Sequence, residues 1–96
     1  MATLHIENTV HDFDSWKSAF DKYDNVRREK GVRSYRMTRH HDDPNKVMVD
    51  LTFDSVSRAE DFCEVLEKVW RSPQSRAELV SHSAPQIVDV VEERTL

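Results

Sequence analysis

Between Asp12 and Gly31 (DFDSWKSAFDKYDNVRREKG) apolar side chains return every three or four residues: Phe13, Trp16, Phe20 and Tyr23, with Ala19 and Val26 on the same side. That spacing predicts one amphipathic helix with an aromatic stripe. Asp12 is a good N-cap, and Asp14 places negative charge where the helix dipole favours it. Arg27, Arg28 and Lys30 crowd the far end, and Gly31, the only glycine in the chain, stands where a left-handed C-terminal cap belongs. So large an apolar load needs a flat partner, and the flanking segments supply strands.

Residues 2–9 (ATLHIENT) alternate, with Leu4, Ile6 and Asn8 on one face and Thr3, His5 and Glu7 on the other. This predicts a strand that aims Asn8 at the helix side near its end. Residues 32–41 (VRSYRMTRHH) predict a second strand with two mixed faces, Tyr35 and Met37 sharing one of them. Asp42-Asp43-Pro44-Asn45 is a turn, since proline presets φ and Asp and Asn tolerate tight positions. The chain returns as Lys46–Phe53, where Val47, Val49, Leu51 and Phe53 alternate against Met48, Asp50 and Thr52.

A second helix follows, with Asp54, Ser55 and Ser57 as possible caps and a Ser57/Glu60 capping box. Its stripe is Ala59, Phe62, Cys63, Leu66, Val69 and Trp70. Ser72-Pro73 opens a short helical turn, with Ala77, Leu79 and Val80 inward. His82-Ser83-Ala84-Pro85 reads as loop, and Gln86–Val91 as the last strand.

The order strand, helix, strand, strand, helix, strand predicts a single α+β domain over residues 1–96, a ferredoxin-like βαββαβ fold. Both helices then lie on one face of a four-stranded antiparallel sheet. The bare face is expected to carry Tyr35, Met37, Met48, Val88 and Val90 among charges, a patch that predicts a homodimer joined sheet to sheet.

Composition narrows the partners. A net charge of −4, with no cluster of Lys and Arg free of nearby acids, argues against nucleic acid. No apolar run reaches the length of a membrane span, and the first residues lack a signal-peptide layout. One cysteine forms no internal disulfide, so a reducing cytoplasm is the expected setting. A single glycine excludes a glycine-rich phosphate loop, and no nucleotide or flavin site is expected.

Five histidines carry the open chemical question. His5 falls on the bare face beside Glu7, which can raise its pKa. His11 stands at a strand-to-helix junction. His40 and His41 are adjacent on a strand and point to opposite faces, so a shared metal ion is not expected. His82, in the last loop, is the best acid/base candidate. Trp70 either completes the core or stacks on a flat ligand. Cys63, flanked by Glu60, Glu64 and Glu67, reads as a small hydrophobe rather than a nucleophile. Arg33, Arg36 and Arg39 are expected to pair with acids such as Asp50.

The helix DFDSWKSAFD, the segment GVRSYRMTRHHDDPNKVMVDLTFDS and the following SRAEDF resemble the dimeric α/β-barrel superfamily. The similarity is strongest to its antibiotic-biosynthesis-monooxygenase-like branch and to small cyclase-like proteins. It covers nearly the whole chain and rests on core and turn positions. The resemblance implies a small-molecule enzyme or binding protein that oxidises or cyclises an apolar, aromatic or polyketide-like compound without a tightly held cofactor. A non-catalytic dimeric protein of stress or assembly type is the alternative. The resemblance also implies a pocket between helices and sheet. Asn8 and Trp70 would position the ligand, His82 would act as base, and Phe20, Tyr23 and Phe62 would form the wall. Haem-degrading relatives place an iron-binding His after the Trp. Here the nearest is His82, beyond the short helical turn.

Overall fold

The computed structural model describes residues 1–96 and shows an α+β arrangement: an open antiparallel sheet carrying four helices. The central strands are β1 (Ala2–Val10) and β3 (Lys46–Phe53), paired from Ala2 opposite Phe53 to Thr9 opposite Lys46. Alternation sends Ala2, Leu4, Ile6, Asn8 and Val10 of β1 to one side, with Val47, Val49, Leu51 and Phe53 of β3. Trp16, Ala59 and Phe62 from the helices complete this core. Burying each large apolar side chain stabilises the fold by about 1.5–3 kcal/mol, so the β1–β3 ladder anchors the domain.

The expected first helix is two helices, α1 (Phe13–Asp21) and α2 (Asp24–Glu29). Asp12 caps α1, its carboxylate accepting from Ser15 N–H at 2.9 Å. At the break, Lys22 and Tyr23 bond back only three residues, to Ala19 O and Phe20 O, and Arg27 Nη2 donates to the same Phe20 carbonyl at 2.7 Å. The guanidinium thus takes the place of the helix bond that the break removes. Gly31 ends α2 with φ +92°, and Val32 N–H reaches back to Arg27 O at 2.9 Å, closing the left-handed cap that the sequence predicts.

Strand β2 (Ser34–Arg39) is shorter than expected and pairs with β3 across the Asp42–Asn45 turn. Its register reverses one expectation. Tyr35 and Met37 stand opposite Leu51 and Val49, and directly opposed residues share a face. Both therefore lie on the helix side, where Tyr35 meets Phe20 edge to face at 5.3 Å between centroids. The mixed pattern of β2 hid this because its helix side is covered only in part. Val90 also leaves the expected patch, lying beyond the last strand. The bare face is mainly polar, with Met48 and Val88 its apolar members.

Helix α3 (Val56–Arg71) is capped by Ser55, whose Oγ accepts from Arg58 N–H at 3.2 Å, rather than by Ser57. Ser72 Oγ accepts from Ser75 N–H and opens α4 (Pro73–Glu78), with proline in its first turn. The chain then enters a strand where the end of the helical turn and the start of a loop were expected. Strand β4 (Leu79–His82) pairs with Asn8–Val10, and β5 (Gln86–Asp89) pairs with Ala2–His5. Together they form one interrupted edge along β1. Ser83 bridges the gap, donating N–H to Glu7 O at 2.8 Å and accepting Glu7 N–H on Oγ at 3.0 Å. The short, largely exposed segment lacks the alternation that marks a buried strand, and Leu79 alone is half-buried. Val80, expected inward, is exposed, as is Ala77.

Candidate functional site

Helices α1, α2 and α3 do not close completely on the sheet. They leave a small cavity of about 80 Å³ that opens to solvent, room for several waters. Asn8, Phe20, Tyr23, Phe62 and Trp70 all line this space, together with Ile6, Val49, Leu51 and the α3 stripe Val65, Leu66 and Val69. Five of the six residues singled out from the sequence therefore share one cavity.

The sixth, His82, is not on the cavity wall. As the end of β4 it stands directly opposite Asn8 in the β1–β4 ladder, and its ring lies flat on Trp70, centroids 3.8 Å apart and planes 12° from parallel. His82 Nδ1 is 3.1 Å from Ser83 O. A carbonyl only accepts, so Nδ1 carries a hydrogen and the neutral ring keeps its lone pair on Nε2. His82 is exposed and touches the cavity through Trp70.

Asn8 is 9 % exposed and its Oδ1 has no hydrogen-bond partner. Asn at a strand end commonly bonds the backbone; Oδ1 of Asn8 does not. Arg27, which the sequence reading treated only as charge near a helix end, also lines the cavity and is 6 % exposed. It was legible in principle. Trp16, Phe20, Tyr23 and Arg27 follow one another at spacings of four, three and four, so a cation occupies the aromatic stripe.

The remaining candidates lie elsewhere. His5 is on the bare face, with Nδ1 2.6 Å from Asp50 Oδ1 and Nε2 3.0 Å from Glu7 Oε2. Hydrogen bonding to Asp50, then to Glu7, raises its pKa above the ordinary 6.5, with desolvation opposing. Asp50 is thus engaged by His5, although Arg36 is its cross-strand neighbour in the other direction. Arg33 pairs with Asp54 at 3.0 Å, and Arg39 lies over Phe13 at 4.3 Å. His11, His40 and His41 are exposed. No group of three or more His, Cys, Asp or Glu side chains converges as a metal site. Cys63 is half-buried, and burial, then Glu67 and Glu60, pushes its thiol pKa up, which disfavours the nucleophilic thiolate. No helix is long and apolar enough to cross a membrane.

No protein-family model matches the chain, and no curated protein does. Solved structures do. SnoaB, a cofactor-independent oxygenase from Streptomyces nogalater, superposes with a TM-score of 0.66 at 14 % identity, covering 96 % of this chain and 94 % of its own. A Nitrosomonas europaea protein, provisionally named an antibiotic biosynthesis monooxygenase, gives 0.71 at 15 % identity over 96 % of this chain and all of its own. A dimeric ferredoxin-like protein from an uncultured marine organism gives 0.63 at 9 % identity, with both chains fully covered. Over nearly its whole length, the chain resembles antibiotic-biosynthesis-monooxygenase-like structures and has their ferredoxin-like α+β fold.

Proposed function

We propose that this protein is a small-molecule enzyme of the monooxygenase-like or cyclase-like type, acting on an apolar aromatic or polyketide-like compound without a tightly held cofactor. The observation that carries this reading is the apolar cavity lined by Asn8, a buried amide whose Oδ1 has no partner. Ligand sites are mostly apolar and orient their ligands through a few polar groups, and this cavity has that composition on a small scale. The alternative, a dimer with no chemistry, calls for a filled interior. The fold shared with a protein described as a cofactor-independent oxygenase adds weight to the oxidative form.

In that form a phenolic substrate is deprotonated and its electron-rich anion reduces dioxygen. A ring CH₂ becomes C=O, one oxygen atom enters the product, and the other leaves as water with the two hydrogens. The protein binds the substrate, accepts a proton and excludes bulk water. Asn8 positions a hydroxyl, Trp70 stacks on the rings, Phe20, Tyr23 and Phe62 form the wall, and His82 Nε2 is the base at the rim. Cyclisation of a reactive chain would use the same wall to hold a productive fold. A homodimer formed through the bare sheet face belongs to this reading, and light scattering on the purified protein tests it.

The functional test is a screen of polyphenols and anthrone-type compounds, reading binding by calorimetry and oxygen uptake by electrode. Turnover that falls at least about ten-fold in both Asn8→Ala and His82→Ala supports the assignment; turnover indifferent to both removes it. Haemin belongs in the same screen. A Soret shift abolished by His82→Ala would replace this reading with haem binding.

A further inference from the structure

Two buried side-chain polar atoms of this chain have no hydrogen-bond partner: Asn8 Oδ1 and Arg27 Nε. Both residues line the same cavity, and they are the only two of its thirteen wall residues that are not apolar or aromatic. Buried polar atoms are nearly always paired, so each orphan calls for a reason. An acceptor and a donor without partners, carried by two residues of one apolar wall, describe a ligand that would satisfy them once it displaced their cover.

Arg27 has a structural task as well. Its Nη2 donates to Phe20 O, and its guanidinium lies 3.7 Å from the Phe20 ring centroid and 5.5 Å from that of Tyr35. These contacts fasten the break between α1 and α2. They occupy one donor and set the group against two aromatic rings, and they leave Nε without a partner. The charge is matched only loosely. Asp24, its carboxylate partner, is 3.8 Å away, partly exposed, and shared with Arg28 at 3.1 Å. Burial accordingly disfavours the charged form of Arg27, with Asp24 the main opposing influence. A buried cation with only a long, shared ion pair is stabilised by an anion that enters beside it.

We infer that Arg27 is the specificity residue of this cavity, recognising an acidic oxygen on an otherwise apolar aromatic ligand while Asn8 Oδ1 accepts a second, neutral O–H or N–H. The inference rests on the aromatic-ligand reading above and narrows it to a carboxylate or phenolate. For a phenol, the guanidinium also favours the ionised form, gathering the anion that reacts with dioxygen.

The test compares 2-naphthoate with its neutral counterpart 2-naphthamide by calorimetry on the wild-type protein and on Arg27→Gln. Wild type is expected to hold the carboxylate at least about ten-fold more tightly. Arg27→Gln is expected to level the two, with naphthamide affinity changed by less than about three-fold, and Arg27→Lys to restore part of the preference. Equal affinities in wild type, or a preference that survives in Arg27→Gln, overturn the assignment. The wild-type pair decides the matter alone if the variant does not fold. Should neither compound bind, while no other aromatic does, the aromatic cavity fails and takes this inference with it; naphthamide binding without a naphthoate preference sinks only the role of Arg27. 4-Nitrophenol then separates the two oxygens. An ionisation midpoint moved to lower pH on binding assigns a phenolate, and an unmoved midpoint beside tight naphthoate binding assigns a carboxylate.

Discussion

Trp70 and His82 stack face to face, 3.8 Å between centroids, although one ends a helix and the other ends an edge strand. The stack couples an exposed imidazole to the wall of the cavity. His82→Ala is expected to uncover one face of Trp70, shifting its emission to longer wavelength and costing about 1 kcal/mol of stability. Fluorescence of the variant against wild type, with Trp16 as the unchanged internal reference, reads this. An emission spectrum that does not move would mean the stack is not kept in solution.

Asn8 predicts a trade between stability and function. Removing a buried polar atom that has no partner relieves an unfavourable burial. Asn8→Leu is therefore expected to raise stability by about 1 kcal/mol while weakening or abolishing ligand binding. Urea denaturation beside the calorimetric screen measures both. A clearly destabilised Asn8→Leu would show that the amide is held by the fold.

His5 predicts a pH dependence whose sign follows from its partners. Its folded-state pKa is raised by Asp50 and Glu7, so the folded chain binds the proton more tightly than the unfolded chain. The stabilisation is complete below the unfolded value of 6.5 and is lost as pH rises through the higher folded value. Urea midpoints measured from roughly pH 6 to 9 are expected to fall with rising pH, and less so in His5→Gln. Equal slopes in both proteins would assign the pH dependence to other groups.

Gly31 predicts a local cost. At φ +92° a side chain is strained, and a Cβ there would stand 3.3 Å from Arg58 Cδ and Nη1. The Arg58 side chain is exposed and can give way, so backbone strain dominates. Gly31→Ala is expected to lose about 1–2 kcal/mol, read as a lower urea midpoint. An unchanged midpoint would mean that the left-handed cap is not required.

Elements whose pattern is set by local physics were legible in the chain. The Asp12 and Ser72 caps, the Gly31 cap, the Asp42–Asn45 turn and the alternation of β1 and β3 depend on neighbours a few residues away. Their residue types therefore announce them. The aromatic stripe likewise announced that α1 must lie on a sheet, and the order of elements announced which fold.

What the sequence left open were matters between distant segments. The register of β2 put Tyr35 and Met37 on the helix side because Leu51 and Val49 stand opposite them, and no local pattern in a half-covered edge strand records that. Strand β4 exists because the end of β1 offered Asn8–Val10 as a partner, in a segment too short and too exposed to show alternation. The break after Asp21 is closed by the side chain of Arg27, which turned a residue of the helix dipole into a wall of the cavity. The sequence by itself determined the central strands, the helical stripes and their caps, since hydrophobic period and capping are local. Only the tertiary structure decided that two residues with unpartnered polar atoms, nineteen positions apart in the chain, line one apolar space.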